Sequence, residues 1–354
     1  MRRLILHIGS HKTGSTSIQK FLLKNRNSLK EIGWILFCER PDGTESVHGN
    51  ANSWVSFSGE KKEFKAKLDK RLFSALNKTT GNMIMSCEEL SWLYQSEEIQ
   101  YVFDELSQIF NDIKVICYIR RQDKHLLSHY HQGFRYPHSS ARDFFGNTIC
   151  IVPTHLKYYQ NYLDYTEKLS CWAVSFGGNN LYVREFSRDK FEGENVVSDF
   201  LKILNLNIKF DPDDESEPVN ESLNLVQTIV NYAVFNSRNE LWYELGRRKF
   251  TGNMAFHSDN KPQLDQASQN AIMVNYYVTN KKLSKYVPDL SSNWVSPTPE
   301  PMEELDAFKP MPEEEYKNAV QAIVSYYDGL SILGFVKIKY RRFVESHWGK
   351  RNIR

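Results

Sequence analysis

An α/β fold, with a P-loop-like parallel β-sheet flanked by helices and a mainly helical C-terminal region, is what three features of this 354-residue sequence predict. First, a short apolar run at 4–8 leads into the glycine-bearing stretch HIGSHKTGST (7–16) and then into a segment where Ile18, Phe21, Leu22 and Leu29 recur at helical spacing, which reads as strand, loop, helix. Second, further short apolar runs at 34–37, 82–86 (NMIMS), 114–119 (KVICYI) and 180–183 (NLYV) alternate with helical stretches, the pattern of parallel strands joined by crossover helices. Third, the text turns mainly helical from about residue 156, with candidate helices at 158–176, 196–204, 223–235 and 263–286.

Composition narrows the class. Hydrophobic residues make up 41% and charged residues 25%, which is ordinary for a folded soluble chain and excludes disordered and fibrous classes. A net charge of +2 gives no global field, so anion binding must come from local clusters and no nucleic-acid partner is expected. The opening MRRLIL breaks at His7 and Gly9, too soon for a secretory signal or a membrane span, so a cytoplasmic protein is expected. Cys38, Cys87, Cys117, Cys150 and Cys171 include no C-x-x-C pair and read as reduced, buried small residues.

Segment 288–312 holds six of the twelve prolines and reads as an irregular linker or wrapping arm. The chain is thereby divided into a main domain over 1–286, a proline-rich linker or arm over 287–312, and a C-terminal helix with a basic tail over 313–354. That tail either packs one face on the main domain or makes a peripheral contact with a membrane surface or anionic polymer.

The loop carries the chemistry. A strand feeding a glycine-bearing turn that opens a helix aims several backbone N–H groups and a helix dipole at one point, a ready anion site; the plainer alternative is a βα turn with helix-capping hydroxyls. A Walker A loop would place lysine directly after the second glycine, where Ser15 stands, whereas Lys12 lies two residues before Gly14. The run KVICYI ends in Arg120-Arg121 rather than in a carboxylate, and only NMIMS, followed by Cys87-Glu88-Glu89, offers acids. A displaced lysine and a strand ending in arginine suggest a ligand with an extra phosphate and no obligatory metal.

HIGSHKTGSTSIQ resembles the 5′-phosphosulfate loop of sulfotransferases that use 3′-phosphoadenosine-5′-phosphosulfate (PAPS), in which a lysine precedes the glycine by two residues. CYIRRQDKHLLSHY resembles that family's 3′-phosphate element, with Arg120 at the strand end and Ser128 eight positions on. Weaker similarity to bacterial sulfotransferase-like proteins runs through 172–191, 196–206 and 219–224. The resemblance implies PAPS as donor, adenosine 3′,5′-bisphosphate (PAP) as product and no metal, with the donor held by His11, Lys12, Thr13, Gly14, Ser15, Thr16, Ser17, Arg120 and Ser128. It implies a hydroxyl acceptor, a carbohydrate or glycolipid. No R-K-G segment is evident; Arg247-Arg248-Lys249 either substitutes for it or is a basic helix end facing solvent. The aromatic side chain that would stack on adenine is not identifiable.

Sulfuryl transfer to a hydroxyl needs a base at the acceptor and positive charge at the leaving phosphate. Lys12 fits the second role. For the base the sequence offers Glu88, at the carboxyl edge of a strand where ligands collect in open parallel sheets, and His48, in the glycine-containing loop SVHGNANSW; His11 reads as a phosphate neighbour. Glu88 also fits a plain helix start in which Ser86 and Glu89 form a capping box. The rival readings are a P-loop kinase using Mg-ATP and a non-catalytic nucleotide-binding protein of the same fold.

Overall fold

The computed structural model describes residues 2–58, 65–135, 157–210, 223–224, 227–228 and 261–295. Seven strands occur among them: β1 (Arg3–His7), β2 (Trp34–Phe37), β3 (Val55–Ser58), β4 (Lys65–Leu68), β5 (Asn82–Ser86), β6 (Asp112–Ile119) and β7 (Leu181–Glu185). Leu4 and Leu6 of β1 point into one hydrophobic cluster and Ile5 into another. A strand buried on both faces belongs inside a sheet covered on both sides. β1 is indeed the middle of five parallel strands in the order β2–β5–β1–β6–β7, with His7 opposite both Ser86 and Ile116. The chain builds β2 and β5 on one side of β1, then crosses to β6 and β7 on the other. The crevice at the carboxyl end of β1 is therefore the switch point of the sheet, where ligands gather in such folds.

One face is covered by α1 (Ser15–Lys24), α2 (Arg26–Glu31) and α8 (Val196–Leu204). They bring Ile18, Leu22, Leu29, Val197 and Phe200 onto Ile5, Ile84 and Ile116. Burying one such side chain stabilises the fold by about 1.5–3 kcal/mol. The other face carries α3 (Arg71–Lys78), α4 (Ser96–Ser107), α5 (Gln122–Arg135), α6 (Lys157–Leu163), α7 (Tyr165–Phe176) and α9 (Gln266–Asn280). Their apolar stripes meet Leu4, Leu6, Met83, Val115 and Cys117.

The expected helix over 158–176 is two helices. Asp164 ends α6 and caps α7 by accepting a hydrogen bond from the Glu167 backbone at 3.3 Å, a local competition that Asp wins readily. The expected helix over 263–286 stops at Asn280 and continues as a 3-10 turn, Leu283–Lys285. The short antiparallel pair of β3 and β4 was not evident, because VSFS and KAKL carry too little apolar alternation.

Of the proline-rich segment, residues 287–295 are described, and they pack on the main sheet. Trp294 is buried, and its indole N–H donates to Glu185 Oε1 at 2.8 Å while Ser291 N donates to Oε2 at 2.8 Å. Asn280 of α9 donates to Trp294 O at 3.3 Å and also exchanges amide bonds with Gln122 of α5. Among the described residues no helix is long and apolar enough to cross a membrane. Cys38, Cys87, Cys117 and Cys171 are free thiols. Cys150, Arg247-Arg248-Lys249, most of the candidate helix 223–235 and all of 313–354 lie outside the described residues.

Candidate functional site

Each strand that flanks the crevice is followed at its carboxyl end by a residue that faces the loop or its neighbours. β1 opens into the loop, β5 leads to Glu88, β6 to Arg120 and β7 to Phe186. The loop stays clamped to β6 for two residues beyond β1, through Tyr118 N to Gly9 O at 2.6 Å and Ser10 N to Tyr118 O at 2.7 Å. Thr13 Oγ1 then donates to Ser10 O at 2.5 Å and tightens the turn.

Two glycines are required by close approach. Gly9 has φ +83°, and a Cβ there would lie 3.0 Å from Glu88 Cβ. Gly14, with φ +77°, caps α1, and a Cβ there would lie 2.9 Å from Val196 and 3.0 Å from Phe186. Lys12 takes the left-handed conformation without being glycine, with φ 62°. Glu194 and Asn205 are the other described non-glycine residues with positive φ, at a turn and a helix end.

No side chain caps α1. Among the described residues the backbone N–H groups of Thr13, Gly14, Ser15 and Thr16 have no hydrogen-bond partner. Those of Gly14, Ser15 and Thr16 are orphan donors of the kind a helix start leaves, at the positive end of its dipole, and Thr13 lies just before them. Ser17 N is used by Gly14 O at 3.0 Å.

Arg120 reaches back across the crevice and donates to Lys12 O at 3.2 Å, its guanidinium 5.6 Å from the centre of the Phe186 ring. Burial presses its affinity for the proton downward, yet no carboxylate lies within ion-pair distance of it among the described residues. Arg121 is the opposite case, held in a bidentate pair with Asp123 at 2.7 and 2.6 Å. A half-buried guanidinium with most of its donors uncommitted can take an anion through forked, charge-assisted hydrogen bonds. Ser128 is half-buried on α5, which starts two residues after Arg120; no bond joins the two side chains.

Glu88 stands beside the loop. Its Oε2 accepts the Ser15 hydroxyl and its Oε1 accepts Asn52 Nδ2 at 3.2 Å. The capping box does not form: Glu88–Trp92 is a 3-10 turn with Cys87 at its start, Ser86 Oγ meets His7 Nδ1 at 2.9 Å and Gln19 Nε2 at 3.1 Å, and Glu89 turns to His11. His48 is not brought to the loop. It is exposed, and the glycine after it packs on Gln19 and Leu23, one to two turns along α1 from Ser15.

His11 departs from the expectation of a phosphate neighbour. Its ring is buried behind the loop, with Nε2 3.2 Å from Glu89 Oε2 and Nδ1 2.9 Å from the Tyr162 hydroxyl, and its backbone N–H donates to the same hydroxyl at 3.2 Å. Burial works against the charged ring, but the Glu89 carboxylate outweighs it, leaving the pKa raised. Beyond lie His125 and His129, both pushed well below the ordinary histidine value by burial. Buried Lys168 is lowered to about 8, its ammonium donating to Ser91 O and Tyr162 O at 3.3 and 3.1 Å. Asn52, Phe186, Val196 and Tyr162 carried no motif that sequence reasoning could use, because each reaches the site through tertiary packing alone.

No family model matches the chain. An uncharacterized protein of Archaeoglobus fulgidus is 32% identical over 117 residues, which span 33% of this chain and only 29% of that relative's length. Among solved structures, a crystal structure of a sulfotransferase from Alicyclobacillus acidocaldarius is similar at 12% identity, covering 82% of this chain and 97% of that one with a TM-score of 0.41, a level of likeness that carries no functional conclusion.

Proposed function

We propose that this chain is a sulfotransferase that moves a sulfuryl group from PAPS to a hydroxyl acceptor, a carbohydrate or glycolipid, in the cytoplasm and without a metal. The observation that carries this reading is the half-buried Arg120, with no carboxylate within ion-pair distance among the described residues, bonded to the backbone of the anion loop. It supplies a second phosphate-sized demand next to the orphan amides of Thr13–Thr16, and a donor with a 5′-phosphosulfate and a 3′-phosphate meets both. Arg120, with Ser128 on the following helix, would take the 3′-phosphate; the loop amides, Ser15 and Lys12 would take the 5′ group.

Transfer then needs one proton moved and one charge met. The acceptor oxygen forms its bond to sulfur as the bond from sulfur to the bridging phosphate oxygen breaks. The hydroxyl proton passes to Glu88, and the electron pair left on the bridging oxygen is met by the Lys12 ammonium.

Thermal stabilisation by PAP in EDTA, with none by Mg-ATP, is the expected outcome, since a ligand that binds the native state raises its stability. A second reading has its own support: a loop hydroxyl facing a carboxylate at the end of a neighbouring strand is the pair that holds Mg²⁺ in P-loop NTPases, and Ser15 and Glu88 form such a pair. Stabilisation by Mg-ATP and not by PAP would favour that kinase. Turnover of labelled PAPS on a panel of glycans separates either enzyme from a nucleotide-binding protein without transfer.

A further inference from the structure

Ser15 has one hydroxyl proton, and in this structure a carboxylate takes it. Its oxygen donates to Glu88 Oε2, while its own backbone N–H is among the orphan amides at the start of α1. Ser15 is 4% exposed, so solvent has little access to stand in for either partner.

The more constrained partner of this contact is Glu88. Glu88 is pressed against Gly9, with no room for a methyl group between them. Its second oxygen is held by Asn52 at 3.2 Å, and the chain carrying Asn52 is pinned by Ala51 N to Ser86 O at 2.8 Å and by the Cys87 thiol to Ala51 O at 3.5 Å. The Ser15 hydroxyl, by contrast, needs only a rotation about one bond.

We propose that Ser15 is a donor-sensing cap on Glu88: its hydroxyl turns from the carboxylate to the phosphate that fills the loop, so that the base is uncovered only once the donor has bound. The proposal rests on the sulfotransferase reading. A phosphate or phosphosulfate oxygen is a strong acceptor for that proton, and taking it leaves Glu88 Oε2 open to receive the acceptor's hydroxyl proton. Asn52 keeps its bond throughout and holds the carboxylate in place, which makes it a positioning residue. Productive binding is thereby ordered, donor first.

A double-mutant cycle on PAP affinity tests this without any acceptor. PAP is titrated calorimetrically in EDTA against wild type, Ser15→Ala, Glu88→Ala and the double variant. Removing Glu88 frees the Ser15 hydroxyl in advance, so Glu88→Ala should tighten PAP about five- to tenfold more when Ser15 is present than when it is absent. Adenosine 3′-phosphate, which lacks the 5′ group, should show no such coupling. Glu88→Gln, which keeps the side-chain volume, should give coupling of the same sign and smaller size. Independent effects of the two substitutions on PAP, or equal coupling with adenosine 3′-phosphate, overturn the cap while leaving the donor assignment intact. No binding of PAP to the wild-type protein overturns the sulfotransferase reading and the cap with it.

Discussion

The loop over 7–16 has two sides with opposite hydrogen-bond accounts. On the crevice side, the amides of Thr13–Thr16 lack partners among the described residues and Arg120 lacks a carboxylate. On the inner side, His11 uses both ring nitrogens and its backbone N–H on Glu89 and Tyr162, and the Lys168 ammonium donates to two carbonyls. Buried polar groups in a folded chain are normally satisfied. Donors left open at the sheet's switch point are what the proposed anion would take up, and closed donors behind them hold the loop in shape. Adjacent residues differ in the same way: the His11 ring faces the scaffold, whereas the Lys12 carbonyl accepts from Arg120 at the carboxyl end of β6.

The largest expected effects belong to the crevice side and fall on turnover. Glu88→Gln should lower transfer by about 100- to 10,000-fold, because an amide cannot accept the acceptor's proton. Lys12→Ala should cost on the order of a hundredfold, through loss of charge at the leaving oxygen. His48→Ala should be mild, since that side chain is exposed and away from the loop. Rates measured with PAP affinity checked in each variant decide the matter. Full activity in Glu88→Gln, or a severe loss in His48→Ala, reverses the assignment of the base.

Next in size is a binding effect that separates two neighbouring arginines. Arg120→Ala should weaken PAP by about 1.5–3 kcal/mol, the scale of a charged hydrogen bond, and leave adenosine 5′-phosphate much less affected. Arg121→Ala should spare both ligands, because that guanidinium is already committed to Asp123. Equal losses of PAP affinity in the two variants would remove the distinction between a paired and an unpaired cation on which the site rests.

How far the sequence could be read follows the same line. The strands were legible because each is a short run of apolar residues next to turn chemistry: all five strands of the main sheet overlap those runs, with β1 shifted one residue earlier, β6 starting two residues earlier, and β7 starting one residue later and ending two later. The loop and Arg120 were legible because glycine, lysine and a strand-terminal arginine leave local signatures. His11 was not: the same letter inside the motif serves the anion or the scaffold depending on where Tyr162 and Glu89 arrive, and those come from about 150 and 80 residues away. The Ser15–Glu88–Asn52 chain was equally hidden, since it joins three segments that meet only once β5 lies beside β1.

The smallest effect tests the inner side through its pH dependence. His11 carries a pKa raised above the ordinary histidine value, despite burial, by the Glu89 carboxylate with help from Glu88 and against Lys168. A raised folded-state pKa contributes stability that is fully present below about 6.5 and is lost as pH rises through the folded value. His125 and His129 have the opposite sign: burial keeps them neutral in the fold, so their environment costs stability as pH falls below about 6.5. The wild-type profile mixes these contributions, whereas the difference between wild type and His11→Gln weights the first. The amide can still bond to Tyr162 and Glu89 but carries no charge, so urea unfolding should show wild type ahead by about 1–3 kcal/mol at pH 6 and by clearly less at pH 9. PAP affinity should change less than in Arg120→Ala, because His11 touches the scaffold and not the crevice. A stability gap independent of pH would mean that the His11–Glu89 contact is a neutral hydrogen bond, and a loss of PAP affinity matching that of Arg120→Ala would move His11 to the ligand's side of the loop.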